Sequence, residues 1–190
     1  MNDYIVLVDE NDKELGTEEK LSAHRMGLLH RAFSIFVFNR NGELLLQRRA
    51  LSKYHCPGLW TNTCCSHPRP GETIGEAANR RLKEEMGFDC PLKEVFNFVY
   101  KTPVPPDLTE HEFDHVLVGT YEGPPVPNPV EVVECKWVRL DTLQADILAH
   151  PEKYTPWFRI IMEKCEKEGS KSSLGYFTAD YTSRECGVFK

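Results

Sequence analysis

The sequence predicts an α/β (α+β) fold in which mixed β-sheets pack as a sandwich with flanking helices. Three observations point there. Short apolar-alternating runs bounded by Gly, Pro and Asn recur along the chain, a single strongly amphipathic stretch lies among them, and no segment repeats. At 190 residues the chain is long enough for one domain with a real core. We place that domain at residues 1–168, followed by a polar, poorly patterned tail at 169–190 to which no role is assigned.

Tyr4–Asp9 alternates as a short strand, and Thr17 to Met26 reads as a helix capped by Thr17 and stopped by Gly27. Phe33–Asn39 and Leu44–Arg48 flank Asn41-Gly42, which predicts a hairpin with a type I′ turn. Glu72–Met86 is a helix ended by Gly87, with Ile74, Ala78 and Leu82 on one stripe. Leu92–Lys101, Glu110–Tyr121 and Val132–Arg139 are the next strands. Asp141 and Thr155-Pro156 each open a C-terminal helix, the second with Pro at the favoured first position.

Composition narrows the function. The net charge of −6 and the lack of a Lys/Arg block disfavour nucleic acid as a partner. The apolar run near the start is too short for a signal peptide or a membrane span, so the expectation is a cytoplasmic protein without membrane association. Seven cysteines in such a chain fit a reducing compartment, where thiols serve chemistry or packing.

Chemistry concentrates in the segment from Thr61 to Gly87. Glu72, Arg80, Glu84, Glu85 and Gly87 resemble the Nudix box, G-x5-E-x7-R-E-U-x-E-E-x-G-U. A lone i, i+4 Arg-Glu pair is a solvated helix face; matches at these fixed spacings are not. Carboxylates there can hold Mg²⁺, which bridges phosphate oxygens. Two positions depart from the box: Ser66 stands for its first Gly, and Arg81 for the Glu of its Arg-Glu pair. That second swap removes a metal ligand and adds a bidentate anion donor, which favours gripping a diphosphate over hydrolysing it.

Elsewhere, His24 and His30 are separated by the helix stop Gly27, so the chain can turn back between them. Glu110 and Glu112 share one face of a strand while His111 points away. Two like charges on one face are costly unless a cation lies between them.

The segments Leu21–Ser34, Arg48–Lys53, Pro57–Pro68 and Thr109–Glu112 resemble the type 1 isopentenyl-diphosphate delta-isomerases, in order, over roughly the first 160 residues. The resemblance implies a Nudix-type fold and interconversion of isopentenyl and dimethylallyl diphosphate with a divalent metal. It implies that His24, His30, His67, Glu110 and Glu112 form one metal site, suited to six-coordinate Mn²⁺ or Mg²⁺ more than to Zn²⁺. It assigns Cys65 and Glu112 to opposite faces of the substrate, with Tyr100 assisting the acid and Trp157 as an aromatic pocket wall. Lys20, Arg49, Lys53 and Arg81 fall on its diphosphate-binding positions, and Glu85 on the site of a diphosphate-bound Mg²⁺, with the Cys65 carbonyl as a further ligand.

Alternatives stand beside several of these. Cys64 competes with Cys65 and Arg48 with Arg49, while Trp60 either contributes alongside Trp157 or is purely structural. A zinc site from Cys56, Cys64, Cys65 and His67 lacks the paired spacing such sites use. A Nudix pyrophosphohydrolase is the rival enzyme, and a non-catalytic metal-binding domain the third class. The expected partner is a small-molecule substrate, on a monomer or weak homodimer.

Overall fold

The computed structural model describes residues 3–168; the tail at 169–190, with Cys186, lies outside the described residues. In chain order the elements are β1 (Tyr4–Val8), β2 (Glu14–Glu19), α1 (Lys20–Met26), β3 (His30–Phe38), β4 (Glu43–Arg49), β5 (Trp60–Thr61) and β6 (Cys64–Ser66). There follow α2 (Ile74–Met86), β7 (Leu92–Val104), β8 (Leu108–Thr120), β9 (Val132–Arg139), α3 (Leu140–Ala149), a 3₁₀ turn and α4 (Pro156–Glu168).

The mixed sheet has two arms. In one, β3 runs parallel to β8 and antiparallel to β6 and β1, with β7 outside β8 and β2 outside β1. In the other, β4 lies antiparallel to β5 and β9. Phe38↔Leu44 is the pair that joins β3 to β4; beyond it the two strands splay. Helices cover both faces, as expected. Ala77, Ala78, Leu82 and Met86 of α2 pack with Phe33, Ile35, Cys64 and Leu45. On the other face Trp157, Phe158 and Ile161 of α4 pack with Phe36, Tyr100 and Leu46. Each buried Leu, Ile, Phe or Met among them contributes roughly 1.5–3 kcal/mol of transfer free energy, and the alanines less.

Several boundaries differ from the sequence expectation. Thr17 does not cap a helix: it pairs with Val6 in the β1–β2 hairpin, and Glu19 caps α1 by accepting from Ser22 N at 2.8 Å. A residue that can cap is here also β-branched, and the ladder with β1 claims it. The Asn41-Gly42 turn is not type I′. Gly42 alone is left-handed, at φ 73°, and its N–H donates to Asn39 O at 2.9 Å, giving a type I turn followed by a left-handed glycine. Glu72 lies outside α2, whose cap is Thr73 in a reciprocal capping box with Glu76. The third helix begins at Leu140, one residue before Asp141.

The splayed strands would leave buried peptide groups unpaired, and Asn62 and Thr63, both fully buried, fill the gap. Thr63 Oγ1 accepts from Val37 N at 2.9 Å and donates to Leu45 O at 2.7 Å, one bond to each arm. Asn62 Nδ2 donates to Ile35 O and Cys64 O, and Gln47 Nε2 to Thr63 O. Thr63→Val keeps the shape but orphans Val37 N–H and Leu45 C=O. At ~1–3 kcal/mol for each buried unpaired group, the variant loses about 2–4 kcal/mol, read from urea unfolding. Wild-type stability in that variant would show the two groups find other partners.

Candidate active site

A cavity of about 510 Å³, counting its open mouth, lies on the α4 side where the arms part. Its lining includes Lys20, Arg49, Lys53, His55, Cys65, His67, Arg81, Glu85, Glu110, Glu112 and Trp157. Every site residue expected from the sequence is therefore there except His24, His30 and Tyr100, which stand directly behind it.

Local structure explains how scattered residues converge. Gly27, left-handed at φ 61°, ends α1, and its carbonyl lies 2.9 Å from His111 Nδ1, which docks the helix end on β8. The chain then reverses, so that His24 on α1 and His30 at the start of β3 have ring centroids 4.7 Å apart. His30 pairs across the sheet with Glu112, and Glu110 lies two residues back on the same face. His67, just past β6, closes the group with its ring 5.3 Å from His24 and 4.9 Å from His30.

One donor atom from each of His24, His30, His67, Glu110 and Glu112 lies within 4.8 Å of the others. An octahedral ion with bonds of about 2.1 Å spans ~4.2 Å between opposite ligands, so the cage is of the right size. The proton inventory agrees. His24 Nδ1 donates to Lys20 O at 2.6 Å and His30 Nδ1 to Leu28 O at 2.8 Å, because a carbonyl can only accept. Each Nε2 is then free as a ligand atom. His24 Nε2 sits 3.0 Å from Glu110 Oε2, yet neither atom has a hydrogen bond of acceptable alignment. Buried, unpaired and converging, these atoms fit a divalent cation. Three imidazoles and two carboxylates supply five N/O donors to such an ion. None of the cysteines belongs to this group among the described residues.

The two thiols diverge as extended backbone requires. Cys64 lies opposite Ile35 and is fully buried against α2; Cys65 lies opposite Ser34 and faces the cavity. Burial pushes the Cys65 thiol up to about 12, against the opposing pull of Arg49. Across the cavity floor, Tyr100 Oη donates to Glu112 Oε2 at 2.5 Å, while Glu112 Oε1 lies 3.0 Å from His67 Nε2. Burial would raise the Glu112 carboxyl, as would Glu110, but the imidazoles of His30 and His67 outweigh both and hold it below its ordinary value.

The cations line the outer part. Arg49 is buried, with its guanidinium 5.1 Å from the Trp157 ring, whereas Arg48 turns out to Gly58 O and Glu134. Trp60 lies under Lys136 and away from the cavity lining. Arg81 is already engaged: it bonds Glu84 at 2.6 Å, Glu85, and Glu131 at 3.3 Å. Glu85 has one oxygen on Arg81 and the other on Gln47 Nε2 at 2.8 Å, so a cation there must displace Arg81. The remaining box residues, Glu72 and Arg80, form a two-bond pair, each bond 2.7 Å.

Two residues of the site escaped the sequence reading. Glu131 reaches Lys53 and Arg81, one oxygen to each. His55 reaches Glu110 at 3.0 Å. Glu131 is 78 positions from Lys53, and no pattern announces that pairing. His55 is aimed inward by a bend at Cys56, a non-glycine at φ 48°, which composition does not foretell.

Fold and site together define a NUDIX-domain protein: the NUDIX domain family matches residues 28–158. Among solved structures, DR0079 from Deinococcus radiodurans superposes with a TM-score of 0.72 at 23% identity, over 86% of this chain and 99% of that one. A MutT protein from Methanosarcina mazei gives 0.62 at 22%, over 75% and 96%. Within that class the relatives are specific. The "Isopentenyl-diphosphate Delta-isomerase 2" of Aromatoleum aromaticum is 52% identical over 86% of this chain and 87% of its own length. The isopentenyl-diphosphate Delta-isomerase of Serratia proteamaculans is 50% identical over 86% and 91%. The chain belongs to the isopentenyl-diphosphate Delta-isomerase family and is an isomerase. Among the described residues, no helix is long and apolar enough to cross a membrane.

Proposed function

We propose that this protein interconverts isopentenyl diphosphate and dimethylallyl diphosphate by adding a proton at C4 and removing one at C2, through a tertiary carbocation at C3. One observation carries the reading. A thiol and a carboxylate, on β6 and β8 at either side of β3, face one cavity that also holds an indole wall and a set of cations. Either group that gives a proton in one direction takes one in the other, so Cys65 and Glu112 exchange roles as the reaction reverses. Tyr100 bonds one Glu112 oxygen and steadies it through both states. Trp157 faces the cation, worth ~1–2 kcal/mol when desolvated.

When bound by His24, His30, His67, Glu110 and Glu112, a divalent ion neutralises the two buried carboxylates and fixes their orientation. Lys20, Arg49, Lys53 and Arg81 hold the diphosphate, and Glu85, with the Cys65 carbonyl as a further ligand, would hold a Mg²⁺ that neutralises its charge. All these groups come from a single chain, so a monomer or weak homodimer acts on this small-molecule substrate. We place the reaction in the cytoplasm.

Isopentenyl diphosphate incubated with the protein in deuterated water gives dimethylallyl diphosphate labelled at C4, with exchange at C2. Inorganic phosphate release without an allylic product would instead make the protein a pyrophosphohydrolase. Arg81→Glu mainly raises KM, by about 10-fold or more, because a carboxylate repels the diphosphate where a charge-assisted bond held it. An unchanged KM returns Arg81 to a structural pairing with Glu84 and Glu85.

A further inference from the structure

The cavity holds one imidazole that neither the metal cage nor the proton carriers use. His55 is buried, with its ring 4.4 Å from that of Tyr54 and 5.6 Å from that of Trp157. Its carbonyl accepts from Arg49 Nη2 at 3.1 Å, which anchors the backbone as the two aromatic rings anchor the side chain. The ring is therefore held in place before any ligand enters.

Its Nε2 lies 3.0 Å from Glu110 Oε1 and 3.4 Å from Arg49 Nη2, while Glu110 Oε2 faces His24. The two oxygens of one carboxylate are thus divided, one to the cage and one to His55. His55 Nδ1 is buried without a partner among the described residues. A proton on Nδ1 would leave a buried donor unpaired and set the Nε2 lone pair against a carboxylate lone pair. A proton on Nε2 faces the nearer, charged Oε1 at 3.0 Å, outweighing the more distant Arg49 N–H at 3.4 Å, and leaves only an acceptor unpaired, so the proton sits on Nε2.

We infer that His55 is a positioning residue for the metal cage. Its Nε2–H holds Glu110 Oε1, so that Glu110 offers Oε2 alone and in a fixed direction. Outer partners of this kind set ligand orientation and metal affinity without touching the ion. The inference rests on the five-residue metal site proposed above.

The test is Mn²⁺ binding to metal-free protein, followed by the paramagnetic signal of free Mn²⁺, with no substrate present. His55→Phe keeps a ring between Tyr54 and Trp157 but removes the donor; His55→Gln restores an N–H near the Nε2 position. His55→Phe is expected to bind Mn²⁺ ~10–100-fold more weakly, with the metal-free unfolding temperature unchanged, and His55→Gln to recover most of the loss. Wild-type affinity in His55→Phe overturns the inference. So does equal weakening in both variants, which would make the effect one of packing. Should His55→Phe not fold, His55→Leu replaces it as the variant without a donor, and the same comparison with His55→Gln decides. His24→Ala separates the two layers. If wild type binds no Mn²⁺, or binds it as well without His24, the cage itself is wrong and His55 falls with it.

Discussion

Cys65→Ala lowers turnover at least ~100-fold and leaves KM within a few-fold of wild type. The thiol is the cavity-facing group of β6 and lies outside the set Lys20, Arg49, Lys53 and Arg81 proposed for the diphosphate. Binding therefore survives while one of the two proton carriers is gone. Cys64→Ala is the matched control. Cys64 points into the core beneath α2, so its loss costs stability and leaves turnover within a few-fold. Initial rates of allylic product formation decide it. Normal turnover in Cys65→Ala, or a larger loss in Cys64→Ala, removes Cys65 from the chemistry.

Glu112→Gln costs more, at least ~1,000-fold, because one side chain has two tasks. Glu112 lies among His30, His67 and Tyr100, belongs to the cluster that could hold a metal, and lines the same cavity as Cys65. An amide of the same shape can neither carry the proton nor balance the charge of a divalent ion. Tyr100→Phe removes only the bond to Oε2 and falls about 10-fold. If the order reversed, with Tyr100→Phe the more damaging, the phenol and not the carboxyl would be the proton carrier on that face. Exhaustive chelation should match the Glu112 loss, and Mn²⁺ or Mg²⁺ restore it; activity untouched by chelation removes the metal from the reaction.

How much of this was legible beforehand depends on the range of the interaction. The α2 helix and its glycine stop read directly, because the stripe Ile74, Ala78, Leu82 and the αL cap at Gly87 are local. The Val132–Arg139 strand read to the residue. Strand alternation separated Cys65 from Cys64 and Arg49 from Arg48, since neighbours on a strand must face opposite ways. Thr17 misled because capping and strand pairing compete for the same residue, and the winner is decided by β1, a dozen positions away. The convergence of His24, His30, His67, Glu110 and Glu112 was expected through resemblance; no spacing rule brings α1, β3, β6 and β8 to one point. Glu131 and His55 stayed hidden because their partners are set by tertiary packing alone.

The parting of β3 from β4 has a consequence for size selection. The arm of β3, β6 and β8 carries His30, Cys65, Glu110 and Glu112; the arm of β4 ends in Arg49, with Lys53 and Glu131 beyond. In the proposed reaction, carbon chemistry is anchored to one jaw and much of the charge that meets the diphosphate to the other. Thr63, bonded to both, fixes the opening of the jaws. The cleft then behaves as a calliper. On the proposed reaction, a substrate whose reacting double bond lies one carbon nearer to or farther from its diphosphate is expected to fit one jaw and miss the other.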